Sequence, residues 1–158
     1  MLYSRYKHSS RYNLINDVTG WVVFVIALVT YWLTLEPTAS YWDCGEFIIQ
    51  ADKLEVGHPP GNPIFMLTAR FFVNFAPDVL SIPLMVNAMS GLLSALTILL
   101  LFWTITHLVR RLLIHNGKDS AEGADLSLAH YLVIIGSGVV GALAYCWSDT
   151  FWFSAVEG

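Results

Sequence analysis

At 158 residues, 56% of them apolar and 13% charged, with a mean hydropathy of +0.58, the chain lies outside the composition of a water-soluble domain. The bilayer is the solvent this composition suits. A net charge of -4 at pH 7 gives no basis for a nucleic-acid partner.

Residues 1–17 carry Arg5, Lys7 and Arg11 and are expected to form a cytoplasmic amino terminus. No charge occurs between Asp17 and Glu36, which predicts a transmembrane helix over 18–35, since crossing the hydrocarbon takes about 20 residues at 1.5 Å each. It ends in the bulky Tyr31-Trp32-Leu33 with no small-residue cleavage pattern, so it reads as a retained anchor and not as a removed export signal. Residues 36–81 form an outward loop. The charge-free stretch between Asp78 and Arg110 predicts a second span over 82–108, and 109–127 a cytoplasmic loop holding the polar linker Asn116 to Asp125. A third span is expected over 128–148, where His130, Gly136-Ser137-Gly138 and Gly141 read as helix packing. Residues 149–158 begin a second outward loop, and the chain stops at Gly158 with no closing helix, as the front part of a longer protein would. The fold class is all-α: a polytopic integral membrane protein with three transmembrane helices.

Orientation follows from the cations, which collect on the cytoplasmic side of short loops. With the amino terminus inside, Arg5, Lys7, Arg11, Arg110, Arg111 and Lys118 all fall inside, and only Lys53 and Arg70 fall outside. The same assignment puts Glu36, Asp43, Glu46, Asp52, Glu55, Asp78, Asp149 and Glu157 on the outer face. Cys44 and Cys146 then lie near the same surface, where a disulfide is conceivable in an oxidising compartment; two buried thiols are the plainer reading.

The outer loop is far longer than a turn between two spans requires. Pro37 and Thr38 end the first helix, Asp43 to Glu55 supports a short helix, and His58-Pro59-Pro60-Gly61 breaks it. Ile64 to Ala76 is apolar but too short to cross, and reads as an interfacial segment. At 100° per residue Asp43, Glu46, Gln50 and Lys53 share one stripe of the short helix, beside the interface-seeking pair Tyr41-Trp42. Asp43 and Glu46 are thus candidates for general-base work, metal binding or sugar-hydroxyl recognition. The plainer alternative has Asp43 capping the helix and Glu46 paired with Lys53 or facing water. Carboxylates beside the low-dielectric boundary should have raised pKa values unless a cation offsets desolvation. Arg70 and His58 are the local candidates to meet a phosphate; their alternatives are snorkelling and fixing of the Pro-Pro turn. Asp149-Thr150-Phe151-Trp152-Phe153 and Glu157 add acids and aromatics on the outer side, suited to sugar rings or to a membrane belt.

Three motifs in order, Glu36-Pro37-Thr38 with Tyr41-Trp42-Asp43-Cys44-Gly45-Glu46-Phe47, then Val56-Gly57-His58-Pro59-Pro60-Gly61, then Phe151-Trp152-Phe153-Ser154-Ala155-Val156-Glu157-Gly158, resemble the amino-terminal signature of glycosyltransferase family 117. That family includes a protein O-mannosyltransferase of the endoplasmic reticulum. The resemblance implies a GT-C-like, inverting, lipid-dependent glycosyltransferase whose active site lies between outward loops. It implies a polyprenyl-phosphate sugar as donor and a protein or other hydroxyl as acceptor, and leaves a divalent metal open; no metal ligands are assigned. Carried over by position, Asp43 is the base and Glu46 orients acceptor or donor. Trp42, His58, Arg70 and Glu157 are candidates for substrate binding. The two acids stand three residues apart, where the wider fold class often has them adjacent or one residue apart.

The expected function is transfer of a hexose, mannose first, from the lipid carrier to a hydroxyl on the periplasmic or luminal side of a bacterial inner membrane or endoplasmic reticulum membrane. A polytopic transporter or flippase-like protein is the alternative. Ionisable residues within the spans would favour it, and His130 is the main one. A site shared between loops also implies that these residues alone are inactive.

Overall fold

The structure is a computed structural model that describes residues 10–40, 43–59, 61–116 and 127–157. Among the described residues six α-helices follow in order: α1 (Ser10–Leu33), α2 (Cys44–Lys53), α3 (Pro63–Val73), α4 (Ile82–Asn116), α5 (Leu128–Cys146) and α6 (Asp149–Val156). A 3-10 turn, Val79–Ser81, precedes α4, and no strand occurs among the described residues. Three of these helices are long and apolar enough to cross a membrane, over Arg11–Leu33, Val79–Leu113 and Leu128–Cys146. A helix meets that demand because its backbone polar groups are satisfied internally.

The helices outrun the charge-free stretches. α1 starts before Asp17, and α4 continues through Arg110 and Arg111 to Asn116, so residues 109–116 are helical where the sequence pattern led to a loop. A charge ends a stretch of hydrocarbon-compatible sequence without ending a helix, since Arg and Leu are strong helix formers. The linker residues 117–126 lie outside the described residues.

The chain forms two compact units. In the first, Met1–Ala27 with Leu96–Cys146, small residues admit large neighbours. A Cβ on Gly138 would stand 2.5 Å from Thr106 and 2.9 Å from Phe102, and one on Gly141 would stand 2.7 Å from Ile105. These two glycines let α5 close on α4, as small residues do between membrane helices. Gly136 faces open space and has no part in it. His130 lies in the first turn of α5. Ser127 Oγ accepts the His130 backbone N–H at 3.3 Å and lies 2.9 Å from Nδ1, so the pair caps the start of α5.

In the second unit, Leu28–Ala95 with Trp147–Gly158, α2 and α3 pack together over a core of Ile48, Ala51, Met66, Ala69, Val73, Val86 and Met89. Phe47, Phe65, Phe72 and Ile82 close its margin. Tyr31, at 0% exposure, meets Phe151 edge-on at 6.3 Å, and the Glu36 N–H donates to the Val156 carbonyl at 3.2 Å. α6 is thereby fastened to the end of α1. The sequence pattern led to a loop at 149–158, and eight aromatic-rich residues are too few to show a helical period. Asp149 in the first turn nonetheless favours the helix by its charge.

Candidate active site

The segment after α1 is held by a buried amide. Asn87, at 0% exposure on α4, donates through Nδ2 to the Glu36 carbonyl at 2.7 Å and to the Thr38 carbonyl at 3.3 Å. Glu36 Oε1 in turn accepts from the Thr38 hydroxyl at 2.6 Å and from its N–H at 3.2 Å. The Glu-Pro-Thr motif is therefore a folded corner that fixes where the acidic segment departs.

Asp43 stands at the N-cap position of α2, where its carbonyl accepts the Phe47 N–H at 3.0 Å and its side chain makes no capping bond. Its carboxylate is exposed at the positive end of the helix. At the other end the helix stops before the Pro-Pro turn, because Leu54 turns left-handed with φ 53 and ψ 45. The N–H groups of Leu54 and Glu55 both return to the Gln50 carbonyl. This reversal carries residues 55–58 back along α2, and the Gly61 N–H closes the next turn on the His58 carbonyl at 3.0 Å.

The reversal brings His58 onto Glu46. His58 Nδ1 lies 2.9 Å from Glu46 Oε1, and the His58 backbone N–H donates to the same oxygen at 3.3 Å. Gln50, one turn further along α2 and 7% exposed, donates to it through Nε2. Three donors thus converge on Oε1. Gly57 makes the approach possible, since a Cβ there would stand 2.6 Å from Gln50 Oε1. The Phe47 ring flanks the imidazole at 6.3 Å and meets Phe65 of α3 edge-on at 5.6 Å, tying the cluster to the core beneath.

The expected rise of carboxylate pKa does not occur at Glu46. Its pKa is lowered, first by the hydrogen bond from the His58 side chain, then by those from Gln50 and the His58 backbone; these donors outweigh desolvation. His58 is raised correspondingly, by the hydrogen bond to Glu46, by that carboxylate's charge, and more weakly by the charge of Asp43. Glu46 pairs with neither Lys53 nor water alone, as the plainer reading had it.

The other candidates stand apart from this cluster. Arg70 Nη1 bonds the Asp52 carbonyl and lies 3.1 Å from Asp52 Oδ1, which ties α3 to the last turn of α2. Glu157 follows α6 with extended backbone, next to the Val156 carbonyl that holds Glu36. Trp42, with Tyr41 and Pro60, lies outside the described residues. Cys44 and Cys146 are buried thiols. Gln50 was visible only as a member of the polar stripe, and Gly57 only as part of a motif. Asn87 was passed over, although it is the one amide in the apolar stretch 82–108 and such a group needs a partner there. Among the described residues no three His, Cys, Asp or Glu side chains converge as metal ligands.

An all-α chain with three helices long and apolar enough to cross a membrane, and a carboxylate–imidazole cluster in the segment between the first two, defines the class: a polytopic membrane protein with a long polar loop. The chain belongs to the family described as Protein O-mannosyl-transferase TMEM260 N-terminal domain, which it matches over residues 43–158. This agrees with the resemblance carried by the three motifs. It is 37% identical to Protein O-mannosyl-transferase TMEM260 of Mus musculus over 86 residues, 54% of this chain and 12% of that protein. It is 28% identical to Protein O-mannosyl-transferase tmem260 of Dictyostelium discoideum over 85 residues, 53% of this chain and 10% of that protein. The match thus spans about a tenth of the length of these relatives. No solved structure matches the chain.

Proposed function

We propose that this chain contributes the acidic loop of a membrane glycosyltransferase that moves a hexose, mannose in the first instance, from a polyprenyl-phosphate carrier to a hydroxyl of a protein acceptor on the non-cytoplasmic side. The observation that carries the reading is the meeting of Glu46 and His58 at 2.9 Å beside the exposed Asp43, in a chain whose named relatives are protein O-mannosyl-transferases.

A lipid-linked sugar presents its phosphate at the headgroup plane, where a loop between two spans can reach it. In an inverting displacement the acceptor oxygen attacks the anomeric carbon as its proton passes to a base. The bond from that carbon to the phosphate oxygen breaks, and the phosphate leaves with the electron pair. Asp43 is the base in this scheme, an exposed carboxylate that makes no capping bond. Glu46 spends Oε1 on its three donors, and Oε2 orients a substrate hydroxyl. His58, held by Glu46 and favoured in its protonated form, offers positive charge to the leaving phosphate. Arg70 would have to give up Asp52 to take that role. Trp42 and Glu157 complete the substrate contacts.

Mannosyl transfer by membranes carrying the full-length protein tests this. Asp43→Asn should insert normally and lose roughly 100-fold or more of its transfer rate, as removal of a general base does. Unchanged product yield from that variant would remove Asp43 from the chemistry.

A further inference from the structure

The unit that lacks the acidic loop holds an open pocket of about 310 Å³ between the first turns of α1 and the carboxyl-terminal part of α4. Every side chain lining it bears a hydrogen-bonding group, although both helices are apolar enough to cross a bilayer. Its depth explains this. Asp17 is the last charge before the first charge-free stretch and Arg110 the first charge after the second, so the cavity sits where the helices leave hydrocarbon for headgroups.

The cavity is built on Tyr12, which is 4% exposed. The Arg110 guanidinium carbon lies 4.4 Å from the centre of the Tyr12 ring, and Tyr131 of α5 backs that ring at 5.9 Å. Stacking holds a guanidinium by its face and orients its N–H edge, the edge that binds phosphate oxygens. The buried atoms of its lining that have no hydrogen-bond partner include the acceptor Asn16 Oδ1 and the donor Trp103 Nε1. Buried polar atoms without partners are rare, and here an acceptor and a donor belong to residues of one lining.

Asp17 decides the class of ligand. A free phosphate or an anionic lipid would meet Arg110 and His107 on one side and this carboxylate on the other. A headgroup with a primary ammonium beside its phosphate presents the right sign to both. We propose that the cavity binds the headgroup of a zwitterionic aminophospholipid. Its phosphate lies at Arg110 and His107, and its ammonium lies at Asp17. Nothing in this site depends on the transferase reading.

The full-length protein, exchanged into mixed-lipid nanodiscs and examined by native mass spectrometry, tests the site. The wild type should retain phosphatidylethanolamine about tenfold over phosphatidylglycerol, and Arg110→Gln should lower retention of both about tenfold. Arg111→Gln, a neighbouring cation outside the lining, should retain as the wild type does. Asp17→Asn should hold phosphatidylglycerol as well as phosphatidylethanolamine, a change of preference that a misfolded protein would not show. Equal retention of the two lipids by the wild type, or no loss in Arg110→Gln, overturns the proposal. So does displacement of the bound lipid by inorganic phosphate.

Discussion

Glu46 and His58 are both solvent-exposed, so their coupling acts through hydrogen bonds more than through a low dielectric, and salt screens the charge part. The two titrations bound the link from opposite sides, the carboxylate on the acid side and the imidazole on the alkaline side. The depressed carboxylate pKa adds stability above the unfolded value and loses it as pH falls through the folded one. The raised imidazole pKa adds stability that is complete below the ordinary value and is lost as pH rises through the folded one. The link is therefore strongest at weakly acidic to neutral pH. An NMR titration of His58 should have its midpoint above the ordinary histidine value of about 6.5, and Glu46→Gln should bring it back down; a midpoint indifferent to Glu46→Gln would dissolve the pair. At this scale the sequence exposed the acid stripe and the histidine as separate candidates. It did not show that they meet, because a contact across twelve positions depends on the Leu54 reversal, and a left-handed leucine carries no sequence signal.

The α2–α3 hairpin is the element that positions the site, and Leu54 is its hinge residue. A non-glycine residue in left-handed conformation costs about 1 kcal/mol or more, which glycine avoids. The Leu54 side chain is 53% exposed, so little packing is lost on its removal. Leu54→Gly should stabilise the folded protein by roughly 0.5–1 kcal/mol, read as a rise in melting temperature. A fall would mean that the leucine side chain matters more than the backbone. The short helix, the break and the apolar segment after it were legible separately; that the two segments pack together as a hairpin was not, since the second reads only as an interfacial segment. The break itself falls at Leu54, four residues ahead of His58-Pro59-Pro60-Gly61, where proline and glycine drew attention. α6 was illegible for the opposite reason: it is held by its docking, through the Val156 carbonyl on Glu36 and Trp152 Nε1 on Thr34 Oγ1 at 3.0 Å, more than by any periodicity of its own.

For the whole molecule, the membrane class and three long helices were readable from charge-free stretches alone, because hydrocarbon tolerates few ionised groups at any position. Helix ends were less legible, since α1 and α4 run on into polar sequence. The account depends at this scale on the side of the membrane that the α1–α4 connection faces. The proposed access to a lipid-linked donor and the proposed roles of Asp43, Glu46 and His58 all require it to be non-cytoplasmic. The most direct measurement is labelling of an Asp43→Cys variant, with Cys44 and Cys146 replaced by Ser, using a membrane-impermeant maleimide on sealed vesicles of known orientation. Modification only from the luminal or periplasmic face is expected; modification from the cytoplasmic face would contradict the proposed placement of Asp43.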